Sequence, residues 1–459
     1  MKRTLFISSV FVVLTASTAS GQSIADQYRE TANKIIAAAT ADSAAWNRLA
    51  EMTDKFGHRL SGSESLERTI DWIIAEMKKD GLQNVLGEQV MVPKWVRGEE
   101  SARLISPRET PLHMIGLGRS VGTPPNGITA DVLVVTSFDD LATRAAEAKG
   151  KIVLFDVPFT SYGATVAYRG GGASAAAKVG AVAALVRSVS SGTMQNPHTG
   201  AMNYDTTVAK IPAAALSVED AAMLHRMAGR GEKVRVNLRM GAQKLPDVPS
   251  RNVVAELVGS EKPEEVVVLG GHIDSWDVGQ GAMDDGGGVV AAWEAVKLLK
   301  KLGLRPKRTV RVVAWTNEEN GSRGATGYRD AHRAELDKHV MAMESDNGVF
   351  KPQGIGVSAG EGGLAITADI AKLLAPIGAD SATGNGGGAD TGPIGALGVP
   401  TMSPIVDGTR YFWYHHSSAD TMDKLDPREM AECVALMAVY AYVVADMPHT
   451  YPRRAVRAQ

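Results

Sequence analysis

The C-terminal half of the chain alternates near-continuous apolar segments with amphipathic ones, and this alternation constrains the fold more than any other feature. The segments "EEVVVLGGH", "RTVRVVAWT" and "VMAMESD" are typical of strands buried on both faces. The segment "GGGVVAAWEAVKLLKKLG" is typical of a helix, with Glu294, Lys297 and Lys301 expected on its solvent face. The pattern predicts an α/β fold with a mixed, largely parallel central sheet and helices on both faces.

The segment before residue 100 has helical periodicity, clearest in "SLERTIDWIIAEMKKDGL". Its apolar residues Leu66, Ile70, Ile73 and Met77 recur at helical spacing and so share one stripe. Gly81 is expected to end this helix.

The stretch 102–244 is rich in Ala, Gly and Val, and its pattern predicts short strands with helices at "GASAAAKVG" and "VEDAAMLHRMAG". No catalytic cluster stands out in it. His113, His198 and His225 are scattered, which favours surface or packing roles. We therefore expect this stretch to cover the site, limit substrate size or support a homodimer.

Composition and the N-terminus narrow the class of protein. The first residues, "MKRTLFISSVFVVLTASTASGQS", predict a signal peptide over residues 1–21 and hence a secreted or periplasmic protein. A net charge of −2 without a basic run argues against nucleic acid or a membrane surface as partner. Cys433 is the single cysteine, so no intrachain disulfide is expected, and its apolar helical surroundings indicate a core position.

Acidic residues and histidine cluster where the predicted strands end. His272 and Asp274 follow the first strand, Glu318 and Glu319 follow the second, and Asp346 follows the third. A fourth cluster, "YHHSSADT", precedes the last helix. Sites of α/β folds collect beyond the carboxyl ends of strands, so we expect these side chains to meet.

Histidine and carboxylates without thiolates form the ligand set of a catalytic zinc or a similar divalent metal. So many carboxylates at one edge would repel each other unless cations neutralised them. Two metals that share one carboxylate would solve this problem and would clamp both the attacking water and the substrate carbonyl.

The blocks "HID", "GAMDDGGG", "NEE", "ESDNG" and "HSSADT" occur in this order. This order resembles the co-catalytic di-zinc exopeptidases, a family that includes leucyl aminopeptidases and glutamate carboxypeptidases. "FGHRLSGSES" is similar to the family's N-terminal motif, and 102–244 resembles the protease-associated insertion of the carboxypeptidase Q branch. After the predicted signal peptide (1–21), the resemblance implies three parts: an N-terminal part of the peptidase domain (22–101), the insertion (102–244) and the catalytic domain (245–459).

The resemblance also implies two Zn²⁺ ions per chain, with other divalent metals as alternatives. Asp284 would bridge the two ions. His272 and Asp346 would complete one site, and Glu319 and His416 would complete the other.

Further roles follow from the same resemblance. Glu318 would be the general base, and Asp274 would orient the ring of His272. His415 would point away from the metals and donate a hydrogen bond to the oxyanion, a role for which Tyr411 and Tyr414 compete.

Several polar residues keep two interpretations. Asp390 lies in "GGGADTGP" as either a substrate-side or a turn residue, and Glu344 is either a support for the metal site or an ion-pair partner. Arg323, Arg329 and Arg410 are candidates for binding a substrate carboxylate.

Two more histidines, His332 and His339, are expected on a charged helical surface without a chemical role.

The favoured function is hydrolysis of short peptides, with unblocked dipeptides implied by the carboxypeptidase Q resemblance. An aminopeptidase acting on longer peptides, a glutaminyl cyclase-like acyltransferase and a non-catalytic receptor-like module are the alternatives. The complete ligand set disfavours the last two.

Overall fold

The structure is a computed structural model that describes residues 23–456, so the predicted signal peptide lies outside the described residues. The strands are β1 Gln83–Val96, β2 Glu100–Ser106, β3 Thr110–Leu112, β4 Met114–Gly116, β5 Ile128–Val135, β6 Ile152–Phe155, β7 Ala183–Arg187, β8 Ala213–Leu216, β9 Arg235–Met240, β10 Gln243–Leu257, β11 Lys262–His272, β12 Arg308–Trp315, β13 His339–Glu344, β14 Pro352–Ser358, β15 Ser381–Gly384 and β16 Thr401–Val406.

Helices connect and cover these strands. They are α1 Ile24–Thr40, α2 Ala44–Phe56, α3 Glu64–Lys79, α4 Phe138–Thr143, α5 Ala145–Ala148, α6 Tyr162–Lys178, α7 Val218–Gly229, α8 Gly287–Lys301, α9 Arg323–Ala331, α10 Gly363–Ala371, α11 Gly392–Gly395, α12 Tyr411–Tyr414 and α13 Pro427–Asp446.

The first sheet has the order β1-β10-β12-β11-β13-β16-β14-β15. Its centre is parallel, because β11 pairs in parallel with both β12 and β13, and β13 pairs in parallel with β16. The β1–β10, β10–β12 and β14–β16 pairs are antiparallel. The predicted α/β class, with a mixed sheet and a parallel centre, is confirmed.

The chain leaves the first sheet after β1 and returns to it at β10, and all strands of a second sheet lie between these two. This sheet has the order β3-β2-β9-β5-β6-β7-β8-β4. It has its own apolar clusters, formed on one side by residues such as Leu154 and Leu224 and on the other by residues such as Phe155 and Val186.

The apolar helix face that the sequence pattern predicted as buried contributes to the core beneath the first sheet. Leu66, Ile70, Ile73 and Met77 of α3 are all buried. Cys433 is buried within α13, as expected. None of the helices in residues 23–456 combines the length and apolarity needed to cross a membrane.

The solvent face expected for α8 is only partly correct. Lys301 is exposed, but Glu294 is buried. The reason is that α2 packs on α8 and brings Arg48 to Glu294, where Lys297 also donates to the carboxylate at 3.2 Å. A buried carboxylate is tolerated here because it is paired.

The charged helical surface expected around His332 and His339 is also wrong in part. The helix α9 ends before His332, and His339 is a buried first residue of β13. The His339 ring contacts the Tyr328 hydroxyl at 3.0 Å, while His332 contacts Glu88 at 2.8 Å. Both rings therefore fasten α9 and the following turn to the sheet.

Candidate metallopeptidase site

The residues at the carboxyl ends of three neighbouring parallel strands form the site at one edge of the first sheet. His272 is the last residue of β11, Glu318 and Glu319 follow β12, and Asp346 follows β13. Because β11 lies between β12 and β13, these side chains converge. The structure thus brings together residues that the sequence places far apart.

Five side chains form two clusters that share Asp284. In the first cluster, His272 Nε2 lies 3.3 Å from Asp284 Oδ1 and 3.3 Å from Asp346 Oδ1. In the second, His416 Nε2 lies 3.2 Å from Asp284 Oδ2 and 2.9 Å from Glu319 Oε2. All five residues predicted as metal ligands therefore meet, and they meet in the predicted groups.

The turn that carries Asp284 is held by two buried carboxylates. Asp420 accepts hydrogen bonds from the backbone N–H groups of Met283 (2.7 Å) and Asp284 (3.1 Å). Asp285 accepts one from the backbone of His272 at 3.0 Å. Burial and the nearby charge of Asp284 raise the pKa of Asp420 to about 7. Asp420 lies within "HSSADT", but sequence reasoning assigned it no role.

Asp274 contacts His272 through its backbone, whereas its carboxylate holds the neighbouring turn. The backbone carbonyl of Asp274 lies 2.8 Å from His272 Nδ1. The carboxylate accepts from the backbone N–H groups of Glu318 (3.0 Å) and Glu319 (3.3 Å) and from the Ser61 hydroxyl (3.0 Å). One residue therefore supports both an imidazole and the Glu–Glu turn.

Glu318 lines a cavity of about 300 Å³ at the centre of the site. Burial raises the pKa of its carboxyl group well above the usual range, and the charges of Asp346 and Glu319 add to the rise, although His272 opposes it. Among the described residues Glu318 forms no ion pair with a cation, and its carboxyl group, with this raised pKa, is a stronger base than that of a free glutamate.

The loop after α12 places two histidines side by side. The rings of His415 and His416 stack with centroids 3.5 Å apart, and His415 Nε2 lies 3.5 Å from Asp284 Oδ2. The expectation that His415 points away from the metal ligands is therefore wrong, because the stacked rings present both Nε2 atoms to Asp284. Burial and the neighbouring His416 lower the pKa of His415 well below its usual range, which favours a neutral ring. His415 and Tyr411 line the cavity, and Tyr414 does not.

Arg169, which sequence reasoning missed, enters the same cavity from the second sheet's side of the molecule. It lies on α6 and is only 6% exposed. Its Nη2 donates to the Tyr162 hydroxyl at 2.7 Å, while its Nε has no acceptor among the described residues. The available signal was an isolated charge within a helix of small residues, "YGATVAYRGGGASAAAK".

His198 also comes from the stretch in which no site residue was expected. Its Nδ1 donates to the backbone carbonyl of His415 at 2.6 Å, and the backbone N–H of Thr199 donates to the carbonyl of His416 at 2.9 Å. His416 has a φ of 59°, in the left-handed region that residues other than glycine rarely adopt. The two hydrogen bonds therefore restrain a strained turn that carries a predicted ligand.

The other candidates lie outside the cavity. Glu344 accepts from the backbone N–H groups of Asp390 (3.1 Å) and Thr391 (2.7 Å), and it pairs with no cation among the described residues. Arg410 pairs with Glu429 at 2.8 Å.

Arg323 and Arg329 line a separate cleft. The histidines His113 and His225 pair with Asp220 and Asp156, away from the site.

The α/β fold, with histidine and carboxylates converging at the strand ends, assigns the protein to the metallopeptidases. The model of peptidase family M28 matches residues 252–441. Carboxypeptidase Q of Mus musculus is 50% identical over 408 residues, covering 89% of this chain and 87% of that protein. The chain therefore belongs to peptidase family M28.

Two further comparisons extend the likeness over nearly the whole chain. Carboxypeptidase Q of Xenopus laevis is 49% identical over 429 residues, covering 93% of this chain and 92% of that protein. The crystal structure of a peptidase M28 precursor from Shewanella amazonensis superposes with a TM-score of 0.91 at 36% identity, covering 95% of this chain and all of that one.

Proposed function

We propose that the protein is a secreted or periplasmic exopeptidase that uses two zinc ions to hydrolyse short peptides, chiefly unblocked dipeptides. The observation that carries this proposal is the position of Asp284, whose carboxylate oxygens lie near His272 on one side and near His415 and His416 on the other. His272 and Asp346 would complete one site, and Glu319 and His416 the other.

The spacing within the clusters fits zinc. Tetrahedral zinc with bonds of about 2.0–2.1 Å places its ligand atoms about 3.3 Å apart. The His272–Asp284, His272–Asp346 and His416–Asp284 separations of 3.2–3.3 Å agree with this value, and the His416–Glu319 separation of 2.9 Å is shorter. Asp284 Oδ2 and Glu319 Oε1 are buried without a hydrogen-bond donor. A bound cation would compensate these oxygens, because an unpaired buried carboxylate is costly.

The bound ions would polarise the substrate carbonyl and lower the pKa of water at the site toward about 7. Glu318, which faces the cavity, would accept the proton of the attacking water and pass it to the departing amine. His415 and Tyr411 line the same cavity and would donate hydrogen bonds to the developing oxyanion.

Arg169 supports recognition of a free carboxylate at the end of the substrate. Its guanidinium is buried, lines the cavity and keeps one N–H group without an acceptor among the described residues. An arginine held in this way binds carboxylates strongly. The cavity volume of about 300 Å³ supports a small substrate.

We further propose that residues 102–244 are the protease-associated-like insertion and that they form one wall of the active site. This proposal rests on the positions of Arg169 and His198, which reach the site from this stretch. A wall of this kind excludes folded proteins from the metal centre.

A panel of dipeptides with either terminus blocked tests the proposed function. We expect hydrolysis of the unblocked dipeptide and a large loss of kcat/KM when the C-terminus is amidated. In Arg169→Met the two substrates should be cleaved at similar low rates, because the group that distinguishes them is gone. Equal hydrolysis of amide and acid by the unmodified enzyme would contradict carboxylate recognition.

A further inference from the structure

We propose that a second site, separate from the catalytic cavity, binds a small polyanion. It is a cleft of about 740 Å³, here called the basic cleft, between the end of β1, the loop after β7 and the start of α9. Six cationic side chains line it: Lys94, Arg119, Lys210, Lys244, Arg323 and Arg329.

The positive charge of the basic cleft is poorly compensated. Two acidic residues, Asp247 and Asp330, line the cleft, and Asp330 is engaged by Arg329 at 2.7 Å. None of the other five cations forms an ion pair among the described residues. The whole chain carries 49 basic and 51 acidic residues, so the cleft concentrates positive charge on an acidic protein. Such a concave basic surface attracts anions.

A buried donor in the wall of the cleft independently requires an acceptor. Asn320 is 1% exposed, and its Nδ2 has no hydrogen-bond acceptor among the described residues. An orphaned buried N–H group costs free energy, and a bound acceptor would recover it once a small shift of the cleft wall opens the shielded amine.

The hydrogen-bond network fixes which atom of Asn320 is the free one. The backbone N–H of Arg323 donates to Asn317 Oδ1 at 3.2 Å, so Asn317 Nδ2 is the donor to Asn320 Oδ1 at 2.5 Å. Asn317 Nδ2 also donates to the Ser61 hydroxyl at 3.0 Å. If the oxygen and nitrogen of either side-chain amide were exchanged, two donors or two acceptors would face each other. The assignment is therefore fixed, and the amine of Asn320 is left without a partner among the described residues.

Arg119 joins the basic cleft to the turn that carries Glu319. Its guanidinium donates from Nε to the backbone carbonyl of Asn320 at 3.1 Å and from Nη1 to Asn203 Oδ1 at 2.6 Å. Both acceptors are neutral, so the cation keeps its charge uncompensated. A dianion between Arg119, Asn320 and the lysines of the cleft would satisfy the charge and the free donor together.

The ligand class follows from these groups. Several separated cations with one amide donor suit two or more oxyanion groups on a compact molecule, of sulfonate, phosphate or carboxylate type. The cleft shares no lining residue with the catalytic cavity, so this ligand is distinct from the peptide that undergoes hydrolysis.

Calorimetric titration of the metal-loaded enzyme with meta-benzenedisulfonate at low ionic strength tests the proposal. Sulfonates are weak metal ligands, and low salt limits screening of exposed charges. We expect saturable binding by the unmodified enzyme. Lys244→Gln and Arg323→Gln should each weaken it by about tenfold, because each removes a charge-assisted contact.

A control and a second variant separate specific from general effects. Lys149→Gln makes the same change of charge at an exposed position outside the cleft and should bind like the unmodified enzyme. Asn320→Asp keeps the acceptor for Asn317 and replaces the free donor by a negative oxygen, so it should lose binding. Equal affinities of the Lys244, Arg323 and Lys149 variants would overturn the proposal, as would displacement of the probe by a dipeptide substrate.

Discussion

Asp284 presents its two carboxylate oxygens to different halves of the site. Oδ1 faces His272 at 3.3 Å, and Oδ2 faces His416 at 3.2 Å. A single side chain therefore controls both proposed metal positions, whereas Asp346 and Glu319 each belong to one. This difference in geometry leads to a difference in metal content among variants.

We predict that Asp284→Ala loses both metals, because each position would retain only one imidazole and one carboxylate. Asp346→Ala and Glu319→Ala should each weaken mainly one metal. Elemental analysis of the three purified variants measures this. Retention of two metals per chain in Asp284→Ala would show that this residue does not bridge them.

Glu318 and Glu319 are adjacent but should respond differently to the same change. Glu318→Gln keeps the size of the side chain and removes its basicity, so kcat should fall by roughly 10²–10⁴-fold with KM and metal content nearly unchanged. Glu319→Gln should instead reduce metal occupancy. Steady-state kinetics with metal analysis decides between the roles. Metal loss in Glu318→Gln alone would mean that the two roles are reversed.

At the scale of elements, the loop after α12 depends on a segment from the other sheet. His198 and Thr199 bind the carbonyls of His415 and His416, and the Ser190 hydroxyl donates to the carbonyl of Phe412 at 2.5 Å. The loop is short and includes a residue with positive φ, so its own backbone does not determine its conformation.

We therefore predict that His198→Ala weakens binding of the metal held by His416 by about 10- to 100-fold, the usual effect of losing a group that orients a ligand. The other metal should be affected less. Competition with a chelator gives the two affinities. His225→Ala, which removes an imidazole from the same stretch but contacts Asp156 on the far side, serves as the control. Unchanged metal affinity in His198→Ala would rule out the positioning role.

At the scale of the whole molecule, the two sheets have separate apolar clusters and meet around the catalytic cavity. The cavity and the buried layer beside it contain carboxyl groups whose burial opposes ionisation. Burial raises the pKa of Glu319 to about 7 with the charge of Asp284 adding to it, and burial with Asp346 raises the pKa of Glu344 to about 7. Without cations, protonation of these groups therefore stabilises the fold.

The metal-free enzyme should therefore lose stability as pH rises from about 4.5 to about 7. A carboxyl group with a pKa raised by folding stabilises the fold below its unfolded pKa of 4.5, and this contribution disappears as pH rises through its folded value of about 7. Bound metals favour the deprotonated ligands. The difference in Tm between loaded and metal-free enzyme should grow across this window. A constant difference would contradict the proposed ligand set.

The central sheet and the convergence of the proposed ligand side chains could be predicted because both are encoded locally. Continuous apolar runs identify buried strands, and the residues just after them must lie at one sheet edge whatever the rest of the chain does. The chemical identities of His272, Asp284 and Asp346 then restricted the site to metal binding. The predicted exposure of Glu294 and His339 was wrong, because a helical or charged pattern does not reveal a distant partner such as Arg48 or Tyr328.

Sequence alone determined which polar groups gather at the sheet edge, since residue type and spacing along a strand are properties of the chain itself. Only the tertiary structure decided what surrounds them. Arg169 contacts His416, which lies 247 positions later in the chain, and His198 contacts His415, which lies 217 positions later. Asn320 is left with a free donor by a hydrogen-bond network that spans separate elements. Periodicity reports that a face is buried, but the surface that buries it depends on how distant segments pack, and no local pattern records that choice.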